Sequence, residues 1–99
     1  MEIIVSKTDG VDIITIPDHL DVNTSPLLKD TLADIISTAD AIELDFANTE
    51  LVTSAGLRVL LQAQKNMQTS GKSMTCKNVS PDVMEVFDMT GVTKIITII

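Results

Sequence analysis

Short β-forming runs alternate with apolar stripes at helical spacing along almost the whole chain, and this rhythm constrains the fold more than any other feature. Residues 3–7 and 11–16 are rich in β-branched side chains. They flank Asp9-Gly10, a pair that accepts the positive φ angles of a tight hairpin. Pro17 closes the second run, and Thr24-Ser25-Pro26 reads as a helix start, with Ser or Thr as cap and Pro in the first turn. Leu28, Leu32, Ile35 and Ile36 then recur at helical spacing to about Ser37. Residues 41–46 predict a third strand and 47–53 a loop. A second helix runs from Ser54 to about Ser70, with Leu57, Leu60, Leu61 and Met67 on one face and Gly71 as its stop. Residues 73–79 predict a fourth strand. Ser80-Pro81 opens a third helix with Val83, Val86 and Phe87 inward and Gly91 at its end. Residues 94–99 show no regular polar–apolar alternation, which predicts a last strand covered on both faces.

The order β-β-α-β-α-β-α-β predicts one α/β domain over residues 1–99. Its sheet is mixed and four- to five-stranded, with an N-terminal β-hairpin, three to four helices and right-handed crossovers between parallel strands. Ninety-nine residues allow one core and little else. Phe46 and Phe87 are the only aromatics, so that core is aliphatic.

Fourteen acids against seven bases give a net charge of −7. Such a surface repels nucleic acid and anionic lipid, and the lack of Trp and Tyr removes base-stacking platforms. No run approaches the ~20 apolar residues of a membrane helix, and Met1-Glu2-Ile3 does not begin a signal peptide, so the expectation is a cytoplasmic protein without membrane insertion. The lone Cys76 lies in an alternating apolar stretch and reads as an inert strand residue.

Parts for catalysis are scarce. Ser54 sits between strand and helix as a nucleophile-elbow serine does, but Val52 stands where that motif needs glycine. A serine triad could be completed only through His19, which reads as an exposed loop residue. One His and one Cys give no zinc-type ligand cluster. Asp18 and Asp21 lack the spacing of a calcium loop, and Gly56 and Gly71 are too isolated to cradle a nucleotide. No metal, cofactor or enzymatic activity is expected.

Ser54 remains. A hydroxyl at a helix start lies among unpaired backbone N–H groups, where a phosphate is well tolerated. Serine there is also a favoured N-cap, although Thr53 can take that position and leave the Ser54 hydroxyl free. Gly56 in the first turn costs ~1 kcal/mol in helix propensity and leaves room beside the hydroxyl or for an approaching protein. Arg58, four residues on, can lean back toward Ser54 or stand exposed.

These residues resemble the STAS domain of bacterial anti-sigma factor antagonists. Thr53-Ser54-Ala55-Gly56-Leu57 is similar to the family's Asp-Ser-Ser/Thr-Gly-Leu motif, in which the serine is phosphorylated. Leu20-Asp21 with Pro26-Leu27 resembles the loop and helix start after the second strand, and residues 80–91 look like the family's third helix and its glycine stop. The resemblance implies a domain that binds an anti-sigma factor with serine kinase activity, releases a sigma factor, is inactivated by phosphorylation on Ser54 and is restored by a serine phosphatase. It also implies partner contacts at Asp21, Thr53, Ala55, Gly56 and Arg58. An alternative within the same fold is a STAS subunit of an ABC-type lipid-transport assembly, docking on its ATPase. The family's Asp before the serine is Thr53 here, and its following hydroxyl residue is Ala55; Asp45 and Glu50 remain as nearby acids.

Overall fold

The computed structural model describes residues 3–99. The chain begins with the expected hairpin, β1 (Ile4–Thr8) and β2 (Val11–Thr15), paired antiparallel. Asp9 and Gly10 both take positive φ, 52° and 82°, as a two-residue hairpin turn requires. There follow β3 (His19–Leu20), α1 (Ser25–Ile35), β4 (Ala41–Asp45), β5 (Leu51–Val52), α2 (Ser54–Thr69), β6 (Ser73–Lys77), α3 (Pro81–Thr90), a 3₁₀ turn (Val92–Lys94) and β7 (Thr97–Ile98).

The main sheet has five strands in the order β1-β2-β4-β6-β7, with every pair after the hairpin parallel. From β2 onward each main-sheet strand is added on the same side of the last. Right-handed crossovers laid down in one direction put all three helices on one face. Burial agrees: Ile14, Ile42, Leu44, Met74 and Cys76 join Leu28, Leu32, Leu60, Met67, Val83 and Phe87 in one core. The aromatic pair bridges the layers, Phe46 at the end of β4 meeting Phe87 of α3 edge-to-face with ring centroids 5.6 Å apart. On the other face none of Ile4, Ser6, Val11, Ile13, Glu43, Thr75 or Thr97 is buried.

Three expectations need correction. Residues 94–99 do not form a strand covered on both faces. The run divides into the end of a 3₁₀ turn and a two-residue edge strand, with Ile95 and Ile99 49% and 62% exposed and Ile96 turned into the core. The loops predicted before α1 and α2 each contain a short strand, and β3 and β5 pair in parallel as a separate two-stranded sheet. His19 is therefore a half-buried strand residue, not an exposed loop residue. Finally, Leu61 and Val86 are only half-buried; Ala63 and Gln64 complete the inner face of α2.

Candidate functional site

The small β3–β5 sheet assembles the site. His19 lies opposite Leu51 and Leu20 opposite Val52, so the residues that follow, Asp21 and Thr53, leave the pair side by side. The Thr53 N–H donates to the Leu20 carbonyl at 2.9 Å and continues the ladder by one bond. Two segments about thirty residues apart in sequence thus meet beyond the C-terminal ends of β2 and β4, where open α/β sheets place their ligands.

Asp21 organises its own loop. Its carboxylate accepts from the N–H groups of Asn23 (2.9 Å) and Thr24 (3.2 Å), and its carbonyl accepts from the Ser25 N–H at 2.8 Å. Those two backbone donors hold the Asp21 carboxyl below the usual carboxylate range, outweighing the opposing effect of burial, with smaller help from the Thr24 hydroxyl and the charge of His19. The Thr24 hydroxyl donates to the His19 carbonyl at 2.8 Å and receives the Asp21 N–H at 2.9 Å, which ties β3 to the start of α1.

Across the pair, Thr53 occupies the N-cap of α2 in an extended conformation, and its carbonyl receives the Leu57 N–H at 3.0 Å. Its side chain makes no capping bond to α2; the hydroxyl instead lies 3.5 Å from the Leu20 carbonyl. Ser54 is the first helical residue. It is exposed, and among the described residues its hydroxyl enters no hydrogen bond. Ala55 is half-buried and Arg58 exposed. Arg58 makes no hydrogen bond to Ser54 either; its side chain borders a groove between α1 and α2.

Gly56 has a different reason from the one expected. A Cβ at this position would stand 2.6 Å from Leu20 Cγ and 3.0 Å from the Leu20 carbonyl oxygen. Leu20 is fully buried and its carbonyl is held by Thr53, so neither can yield cheaply. The space Gly56 leaves is filled by this chain's own Leu20, not kept open for a partner. Sequence reasoning missed this contact because the two-residue β3 and β5 carry no periodic signal.

The remaining acids near this end are occupied or solvated. Burial raises the Asp45 carboxyl, but donation from Asn78 Nδ2 at 3.0 Å and the Ala47 N–H at 2.9 Å, with the charge of Lys77, outweighs it and leaves the group below its ordinary value. Glu50 is exposed. Cys76 lies in the core, where burial pushes its thiol up to about 12 and makes it a poor nucleophile. Among the described residues there is no cluster of three metal-ligating side chains, and no helix is long and apolar enough to cross a membrane.

A mixed sheet with helices on one face and an unengaged serine on the first turn of α2 defines a small α/β module built around a helix start. Residues 3–98 match the family model described as "Mlab, STAS domain", and the chain belongs to the STAS domain family. It is 31% identical over 91 residues to an anti-sigma F factor antagonist of Paenibacillus polymyxa, covering 90% of this chain and 78% of that protein. Its fold is similar to the crystal structure of an anti-sigma factor antagonist from Mycobacterium paratuberculosis (TM-score 0.88, 19% identity, 98% and 83% of the two chains). It is also similar to the structure of the Bacillus cell fate determinant SpoIIAA in the phosphorylated form (TM-score 0.78, 16% identity, 99% and 91%).

Proposed function

We propose that this chain is an anti-sigma factor antagonist, a regulatory cytoplasmic protein and not an enzyme. In its unphosphorylated form it docks on an anti-sigma factor with serine kinase activity and so releases a sigma factor. Phosphorylation of Ser54 by that kinase ends the association, and a serine phosphatase restores it. The observation that carries the reading is the Ser54 hydroxyl, exposed and unengaged at the start of a helix seated on the core. Asp21, Thr53, Ala55 and Arg58 serve as partner contacts, and Gly56 serves by letting α2 approach Leu20. The relative of known name and the neighbour solved with its phosphate support the same reading.

The physical chemistry is consistent. A phosphate at the N-terminus of α2 gains ~0.3–1 kcal/mol from the helix dipole, so it leaves the fold intact. It adds about −1.5 to −2 charge to a surface that was neutral at that point. If that point lies inside an interface, desolvating the charge weakens binding, and ~1.4 kcal/mol is already a factor of ten. Incubating the protein with candidate anti-sigma factor kinases and ATP, then mapping phosphate by mass spectrometry, tests the site. Ser54→Asp is expected to keep its melting temperature within a few degrees and to bind the partner at least tenfold more weakly. Equal affinity in the two proteins refutes the switch.

Thr53 in place of the motif's Asp favours a second reading, in which the domain docks on an ABC ATPase without being phosphorylated. Co-purification with an ABC ATPase rather than a kinase, with Ser54 unmodified, selects it.

A further inference from the structure

α1 and α2 lie side by side, and an open groove of about 390 Å³ runs between them. This volume falls within the ~300–1,000 Å³ of small-molecule sites. Leu32, Ala33 and Ile36 from α1 and Val59 and Ala63 from α2 form its apolar lining, and the polar Gln62 and Asn66 of α2 border it too. Both helices return from crossovers that run in the same direction, so they are parallel. Lys29 and Arg58 are each the fifth residue of their helix, and both border the groove, so they flank the same end of it. From Lys29 to Ile36 the apolar track is about 10 Å long at ~1.5 Å per residue.

Lys29 and Arg58 supply the groove's charge, on a chain with seven bases against fourteen acids. Lys29 has Ser25, Pro26, Leu32 and Ala33 three and four residues away, and Arg58 has Ser54, Ala55, Leu61 and Gln62. Neither helix supplies an acid at a pairing distance. Among the described residues the ion pairs are Lys7–Asp12 and Lys77–Glu43, and neither groove cation takes part. Asp30 and Asp34 of α1 are exposed and outside the lining. A largely apolar groove thus has two cations outside any ion pair at one end, while at the other Lys72 Nζ donates to the Ile36 carbonyl at 2.7 Å.

We infer that the α1–α2 groove binds a linear acyl carboxylate, its headgroup between Lys29 and Arg58 and its chain along Leu32, Ala33, Val59 and Ile36. The charge selects an anion, and the apolar lining rejects a small hydrophilic one. The inference does not depend on phosphorylation of Ser54.

Amide NMR of the full chain titrated with octanoate, with octanol and octyltrimethylammonium in parallel, tests it. Octanoate is expected to give saturable shifts at Leu32, Ala33, Ile36 and Val59, with at least tenfold higher affinity than octanol and no saturable response to the cationic analogue. Lys29→Glu is expected to lower octanoate affinity at least tenfold and to leave octanol unchanged. Ala33→Trp, which fills the groove from an exposed position, removes both. Both positions are exposed, so the unshifted remainder of the spectrum reports an intact fold. Absence of saturable shifts, shifts centred elsewhere, equal affinity for octanoate and octanol, or octanoate binding indifferent to Lys29→Glu overturns the inference.

Discussion

Ser80 and Ser54 each stand at the start of a helix, and only one of them is used by it. Ser80 is half-buried at the N-cap of α3, and its hydroxyl accepts the Val83 N–H at 3.3 Å, with Pro81 fixing the first turn behind it. Ser54 lies one position further into its helix. Thr53 holds the N-cap without a side-chain bond, and the Ser54 hydroxyl is left in solvent. α3 starts on a side chain, whereas α2 starts on a packing contact, Gly56 against Leu20. A helix anchored by packing can leave its first hydroxyl free for another use; a helix anchored by its cap cannot.

The contrast breaks most severely at Gly56. Alanine there gains ~1 kcal/mol of helix propensity but forces overpacking, typically ~1–3 kcal/mol, against a Leu20 that is locked on both sides. We expect Gly56→Ala to lose up to about 2 kcal/mol of stability in a denaturant titration. A more stable variant would show that α2 is not seated on Leu20. Ser80→Ala comes next and is expected to cost ~1 kcal/mol through the lost cap. An unchanged denaturant midpoint would put the two serines in the same class.

Much of this fold is legible in the sequence. Asp9-Gly10, the Ser-Pro helix starts and the glycine stops are local signals, and each element they mark is present within two or three residues. The open face of the sheet was legible too: Ala41-Ile42-Glu43-Leu44-Asp45 and Ser73-Met74-Thr75-Cys76-Lys77 alternate, as strands with one wet face do. The isoleucine-rich C-terminus, which lacks that alternation, masked it, because the 3₁₀ turn after Gly91 shortens the last strand in a way that hydrophobicity does not encode. The exposure of Ser54 follows from its place at a helix start. The meeting of Asp21 with Thr53 does not, since it depends on two strands of two residues each, too short to show a period.

Acid offers a gentler probe of the loops that frame this end. Asp21 and Asp45 are both held below the ordinary 3.8 in the folded protein. Their contribution to stability is therefore complete above the unfolded value and is lost as pH falls through the lower folded values. We expect the denaturant midpoint to decline below about pH 4, and Asp45→Asn, which keeps a partner for Asn78 but carries no charge, to flatten that decline. An identical pH slope in the variant would mean that the hydrogen bonds at Asp45 do not favour its charged form.

The smallest expected effect is the most informative. Ser54→Ala removes a hydroxyl without a partner, and exposed substitutions of this kind stay within about 0.5 kcal/mol. The variant is expected to melt with the wild type, to bind the anti-sigma partner normally and to take up no phosphate. A loss comparable to that of Ser80→Ala would show that the hydroxyl closes the first turn of α2. Any weakening caused by Ser54→Asp would then report a damaged helix start rather than a charge placed in an interface. Only if Ser54→Ala is silent in stability does the phosphate have a scaffold it can modify without deforming.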